Sequence, residues 1–143
     1  MTELIPMTDR ATRVIELARD FARTSAHSTV ETEHILFALA AEGDGLAANA
    51  LKWLGVECDA IRDCVERLGN VQAPDITVNT INEVRMGASE ECALLRHNYV
   101  GTEHLLLALT RISRGRCSAV LATLKLDPEL IRKEVYSILG HDI

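Results

Sequence analysis

The chain reads as an all-α protein made of two tandem four-helix repeats. Three observations predict this. Residues 27–39, HSTVETEHILFAL, return at 97–109 as HNYVGTEHLLLAL. His34 and His104 lie 70 positions apart, and that offset also pairs Val14 with Val84, Ala18 with Ala88, Leu51 with Leu121, Ile61 with Ile131 and Val65 with Val135, without a gap. A register kept mainly at apolar positions is the mark of a duplicated fold. Finally, only 3% of the 143 residues are aromatic while Ala and Leu are abundant, a composition that favours helix over sheet.

Each repeat divides into four helices. Thr8 caps a first helix running to about Ala26, with Ala11, Val14, Ile15, Ala18 and Ala22 on one face. Its counterpart runs from about Thr80 to Arg96. Thr32 and Thr102 are expected as N-caps of the second helices, with Glu33 and Glu103 in the first turn, where the helix dipole favours a carboxylate. These helices, EHILFALAAE and EHLLLALTRI, are nearly apolar all round and should be the buried ones. A short third helix follows Gly45 or Gly115. The fourth opens at Asp127 as N-cap with Pro128 in the first helical position, and near ECDA in the first repeat. The repeats then cover about residues 8–69 and 80–140, joined by a linker at about 70–79 that holds Pro74. Their buried second helices require one shared core, so a helical monomer whose halves unfold together is expected.

Composition narrows the function. With 48% apolar and 25% charged residues the chain can bury a real core. A formal charge of −6, without clusters of Lys and Arg, argues against a general nucleic-acid binder. Cys58, Cys64, Cys92 and Cys117 form no CxxC, and MTELIPMTDRATR has no apolar core of a signal peptide, so reduced thiols in a cytoplasmic protein are expected. No apolar run approaches the roughly 18 residues of a membrane span.

The paired TEHILFAL and TEHLLLAL segments, the preceding His27 and His97, the Gly45 and Gly115 turns and the 70-residue duplication resemble the Clp N-terminal repeat domain of ClpA/ClpC-type AAA+ unfoldases, the ClpC branch above all. The resemblance runs from about Thr8 to Gly140. It implies two four-helix repeats related by a pseudo-twofold axis and a module that recruits protein substrates and adaptors to a Clp AAA+ ring. No GxxxxGK[ST] phosphate loop is present, so ATP hydrolysis by that mechanism is not expected of these residues, and neither is a cofactor. The alternative is a free-standing adaptor or modulator acting in trans on a Clp machine. A small hydrolase lacks a nucleophile elbow or triad signature, so no catalytic residue is assigned.

The ClpC resemblance further implies a phosphoarginine ligand, with the motif glutamate holding the guanidinium and a threonine at the start of the repeat helping to hold the phosphate. Glu33 and Glu103 match the glutamates. Counting 25 residues back reaches Thr8 in the first repeat and Val78 in the second, so the first site is expected intact and tighter, and the second weakened. Two readings of Glu33 and Glu103 stand side by side: ligand carboxylates, or first-turn acids that only stabilise a helix. His34 and His104 are read as packed residues and His27 and His97 as helix-end residues. No HExxH or Cys/His cluster suggests a metal. Trp53 is expected to pack between helices.

Overall fold

The computed structural model describes residues 4–27, 29–69, 79–112 and 116–140. Among them run eight helices and no strand: α1 (Asp9–Thr24), α2 (Thr32–Glu42), α3 (Leu46–Trp53), α4 (Cys58–Leu68), α5 (Thr80–Leu94), α6 (Thr102–Arg111), α7 (Arg116–Thr123) and α8 (Pro128–Leu139). Gly115, Val78 and most of the expected linker lie outside the described residues.

The nearly all-apolar second helices form the centre, as their sequences demand. Ile35, Leu36, Ala38 and Leu39 of α2 and Leu105 to Leu109 of α6 are buried. Within each repeat the first helix covers the second, α1 on α2 and α5 on α6. The repeats then interlock: α2 meets α6 and α7, α6 meets α3, and α8 packs on α3 as α4 packs on α7. One continuous apolar cluster spans both halves. The shared core expected from sequence follows from this interlocking, since neither half alone covers its central helix.

Helix starts agree with expectation at two places. Thr8 Oγ1 accepts from the N–H of Ala11 at 3.1 Å, and Asp127 Oδ1 accepts from Glu129 N–H at 3.0 Å ahead of Pro128. The second helices differ. Their N-caps are Glu31 and Gly101, one residue earlier than expected, so Thr32 and Thr102 are the first helical residues. Each cap is made by a histidine: Nδ1 of His34 accepts from Glu31 N–H, and Nδ1 of His104 from Gly101 N–H, both at 2.8 Å. This is the back-bonding half of a capping box, with imidazole in place of a carboxylate.

Freed from capping, the threonines reach the other repeat. Thr32 Oγ1 accepts from Cys117 N–H at the start of α7 (2.9 Å), and Thr102 Oγ1 accepts from Ala47 N–H at the start of α3 (3.2 Å). Gly45 permits the second approach, because a Cβ there would stand 2.6 Å from the Thr102 hydroxyl. Trp53 also departs from expectation. It ends α3 with 78% of its surface exposed, pointing away from the core that Ala47, Ala48, Ala50 and Leu51 of the same helix enter.

Candidate ligand-binding site

The two motif glutamates occupy different surroundings, although they stand at equivalent positions. The difference begins at the N-terminus. Residues 6–8 run beside residues 99–101 in a short parallel pairing, with Val100 N–H donating to Pro6 C=O and Thr8 N–H to Val100 C=O, both at 2.8 Å. This sets the start of α1, from the first repeat, against the start of α6, from the second. Between them lies an open cleft of about 410 Å³ whose walls include Thr8, Arg10, Tyr99, Gly101 and Glu103. The structure therefore brings Thr8 to Glu103, not to Glu33. Counting along one repeat pairs Thr8 with Glu33, whereas the cleft places Thr8 with Glu103 across the repeats.

Glu103 is half-buried in this cleft, and among the described residues no guanidinium reaches its carboxylate. The absent side chain of Gly101 leaves it room, since a Cβ there would stand 3.0 Å from the Glu103 Cδ. Polar groups line both walls: His97, Tyr99, Thr102 and His104 stand near Glu103, and Thr8, Asp9 and Arg10 lie on the α1 side. Thr8 caps the helix, the first-turn amides point outward as at any helix start, and Arg10 is anchored by Nη1 donating to the Asp44 carbonyl at 3.0 Å. Glu103 thus shares the cleft with a helix N-terminus and an arginine, which suits a ligand carrying a cation and an anion close together, and Asp9 adds a second carboxylate at that helix start.

Glu33 is fully buried and already has a cation. Arg116 Nε lies 2.6 Å from Glu33 Oε2, and the same guanidinium donates to the carbonyl of Gly69 at the end of α4. The pairing is imperfect, for both Glu33 oxygens and Arg116 Nε lack a well-directed hydrogen bond. Burial pushes the Glu33 pKa up, outweighing the pull of its own amide and of Arg116; Glu31 nearby adds to the rise. Glu31 fills the position held by Gly101 in the other repeat, and its carboxylate accepts from Thr29 and Thr80 hydroxyls at 2.9 and 3.3 Å. Val78, the expected phosphate-side residue of the second site, lies outside the described residues. Sequence reading missed Arg116. The signal was available in the 70-residue register, which sets Arg116 opposite Leu46 and Glu31 opposite Gly101.

The histidines line these sites as paired rings. His27 Nδ1 lies 2.6 Å from His34 Nε2, and His97 Nδ1 lies 2.8 Å from His104 Nε2. Since Nδ1 of each inner histidine accepts a cap hydrogen bond, Nε2 carries the hydrogen and donates it to the outer histidine. Burial first, then His27 and Arg116, lowers His34 to about 4; burial also lowers His104, against the opposing pull of Glu103. The inner imidazoles are thus neutral caps. Among the described residues no group of three or more His, Cys, Asp or Glu could hold a metal ion. Cys117 is buried at the start of α7 and burial pushes its thiol up to about 12, which makes it a poor nucleophile.

The profile of the Clp repeat (R) N-terminal domain matches this chain twice, over residues 6–78 and 78–142. The chain belongs to that family. It is 42% identical over 135 residues to a probable ATP-dependent Clp protease ATP-binding subunit of Chlamydia pneumoniae, which covers 90% of this chain and 16% of that protein. It is 38% identical over 137 residues to the negative regulator of genetic competence ClpC/MecB of Bacillus subtilis, covering 93% of this chain and 17% of that one. The chain therefore spans about one sixth of the length of these curated relatives. Among solved structures, the N-terminal domain of ClpD from Arabidopsis thaliana superimposes with a TM-score of 0.76 at 22% identity, covering 94% of each chain. The Hsp104 N-terminal domain of Candida albicans gives 0.74 at 19% identity, covering 96% of this chain and 93% of that one. The all-α double repeat is thus the Clp N-domain fold, and the relatives place it with the N-domains of Clp-type chaperones. Among the described residues no helix is long and apolar enough to cross a membrane.

Proposed function

We infer that this chain is a recognition module of a Clp-type AAA+ unfoldase, binding protein substrates and adaptors, with phosphorylated arginine side chains as the ligand of the Glu103 cleft. The observation that carries the reading is the meeting of the half-buried Glu103 carboxylate with the Thr8-capped start of α1. A guanidinium is planar and pairs with a carboxylate through two parallel hydrogen bonds. Its phosphoryl group, a few ångströms away, then falls toward the amides at the start of α1 and toward Arg10, where an anion is favoured. A plain arginine leaves that half of the cleft unused, and a phosphoserine leaves Glu103 opposed to its negative charge. Binding rather than catalysis is further supported by the buried thiol of Cys117, held protonated, and the neutral capping imidazole of His34.

Calorimetric titration with phosphoarginine tests this. Glu103→Ala should abolish binding. Thr8→Ala should weaken it two- to tenfold, as expected for a neutral hydrogen bond worth about 0.5–1.5 kcal/mol. Arginine and phosphoserine should bind far more weakly than phosphoarginine. Absence of binding by the unmodified protein would reject the ligand and leave the cleft as a protein-docking surface.

A further inference from the structure

We propose that Arg116 is a built-in guanidinium that occupies the Glu33 site, so that this double repeat offers one ligand site, at Glu103, instead of two. The proposal rests on the reading of the motif glutamates as guanidinium-binding carboxylates. It stands on three observations. Glu33 is fully buried, and its partner is an arginine of the opposite repeat held 2.6 Å away. That arginine is fixed at its other edge by the Gly69 carbonyl, so its planar group is bracketed between a carboxylate and a backbone acceptor, as a bound ligand's would be. At the equivalent position of the other repeat stands Leu46, which lines the open cleft and has no charge to offer Glu103.

Beside the exchange of Glu31 for Gly101, the repeats thus differ in the side chain set against the glutamate at the first residue of the third helix. Leucine leaves the carboxylate beside it to solvent and ligand; arginine covers it. The contact also accounts for how a fully buried glutamate is tolerated, since a carboxylate without a cation at that depth would be strongly destabilising. Because Arg116 begins α7 and Glu33 lies in the first turn of α2, the plug also ties the repeats together beside the Thr32–Cys117 hydrogen bond.

Chemical rescue separates this from a merely structural ion pair. In a Glu103→Gln background, which silences the open cleft, Arg116→Ala and Arg116→Leu variants are melted in sodium chloride and in guanidinium chloride of equal ionic strength. Roughly 50 mM is used, far below the molar concentrations that unfold proteins. Guanidinium should raise the melting temperature of the Arg116→Ala variant by a few degrees, or restore its folding if it is unfolded in sodium chloride. It should do neither for Glu103→Gln alone, nor once Glu33→Gln is added. The wild-type chain, titrated with phosphoarginine, should show one site that survives Glu33→Gln. Lack of rescue in both Arg116 variants, or a wild-type stoichiometry of two of which Glu33→Gln removes one, would overturn the proposal. Rescue without any phosphoarginine binding would uphold the plug and reject only the proposed ligand.

Discussion

The hydroxyl of Thr32 on α2 accepts a hydrogen bond from the backbone N–H of Cys117 at 2.9 Å, and so closes the start of a helix that belongs to the other repeat. Thr102 does the same for Ala47 at 3.2 Å. Each repeat thereby satisfies a buried donor of its partner, and the two motifs hold the halves together as well as framing the sites.

Removing either hydroxyl strands a buried N–H at the interface. Thr32→Val should cost about 1–3 kcal/mol, the usual penalty of an unsatisfied buried donor, while Thr32→Ser costs much less. Thr32→Asp separates this account from ordinary capping. An N-cap accepts aspartate readily, whereas here a carboxylate enters a buried site beside Glu33 and should be the worst of the three. Urea denaturation ranks them; a tolerated aspartate would return Thr32 to the role of a cap for α2.

The histidine pairs make stability depend on pH. His34 titrates at about 4 in the fold against 6.5 when unfolded, so between these values the unfolded chain binds more protons than the native one. Stability is therefore full above about pH 6.5 and falls as pH drops toward about 4, by about 3 kcal/mol for His34 alone. His27 and His104 shift in the same direction, while the raised carboxyl of Glu33 acts oppositely and offsets part of the loss. Urea midpoints measured across this range should fall with pH in the wild type and flatten in His34→Gln. A pH-independent wild type would contradict the capped, neutral imidazoles.

Among the described residues, three helix ends pass through left-handed backbone at residues with a Cβ: Ala26, Arg96 and Lys125, with φ of 59°, 60° and 59°. Gly55, the repeat-1 counterpart of Lys125, takes this turn with φ of 81° and no such cost. Lys125→Gly should thus stabilise the protein by about 0.5–1 kcal/mol, the left-handed penalty less the added entropy of an unfolded glycine. Thermal melting checks it, and a lower melting temperature would show that the lysine side chain holds α7 in another way.

Trp53, 78% exposed, should contribute little to folding. Trp53→Ala should change stability by less than about 0.5 kcal/mol, against the 3–5 kcal/mol expected for a packed tryptophan. Aqueous iodide should quench its fluorescence in the native state nearly as well as in the unfolded one. Protection from iodide would place it in an interface.

Much of the fold was legible because local and global signals agree. The 70-residue register, the all-apolar α2 and α6, and the Thr8 and Asp127 caps each depend on neighbours in sequence, and each appears where the pattern put it. What was not legible depends on contacts across the repeats. Counting 25 residues back from Glu33 reaches Thr8, yet the pairing of residues 6–8 with 99–101 delivers Thr8 to Glu103. A threonine ahead of an apolar run is a sound N-cap signal, but here His34 and His104 take the cap and release the hydroxyls to the opposite repeat. Trp53 closes a helix whose buried residues lie on the other side, and eight residues give too few turns for that face to be certain from spacing. Arg116 was visible only as a mismatch with Leu46, and its meaning needed the buried Glu33 beside it.

The proposed ligand recognition lies in the cleft between Thr8 and Glu103, with Glu33 closed. Amide chemical-shift mapping during a phosphoarginine titration tests it most directly, because both regions report in one sample. Saturable shifts are expected at Asp9, Arg10 and Gly101 to Glu103, with Glu33 and Arg116 unmoved. Shifts centred on Glu33 and Arg116, with the Glu103 cleft silent, would contradict it.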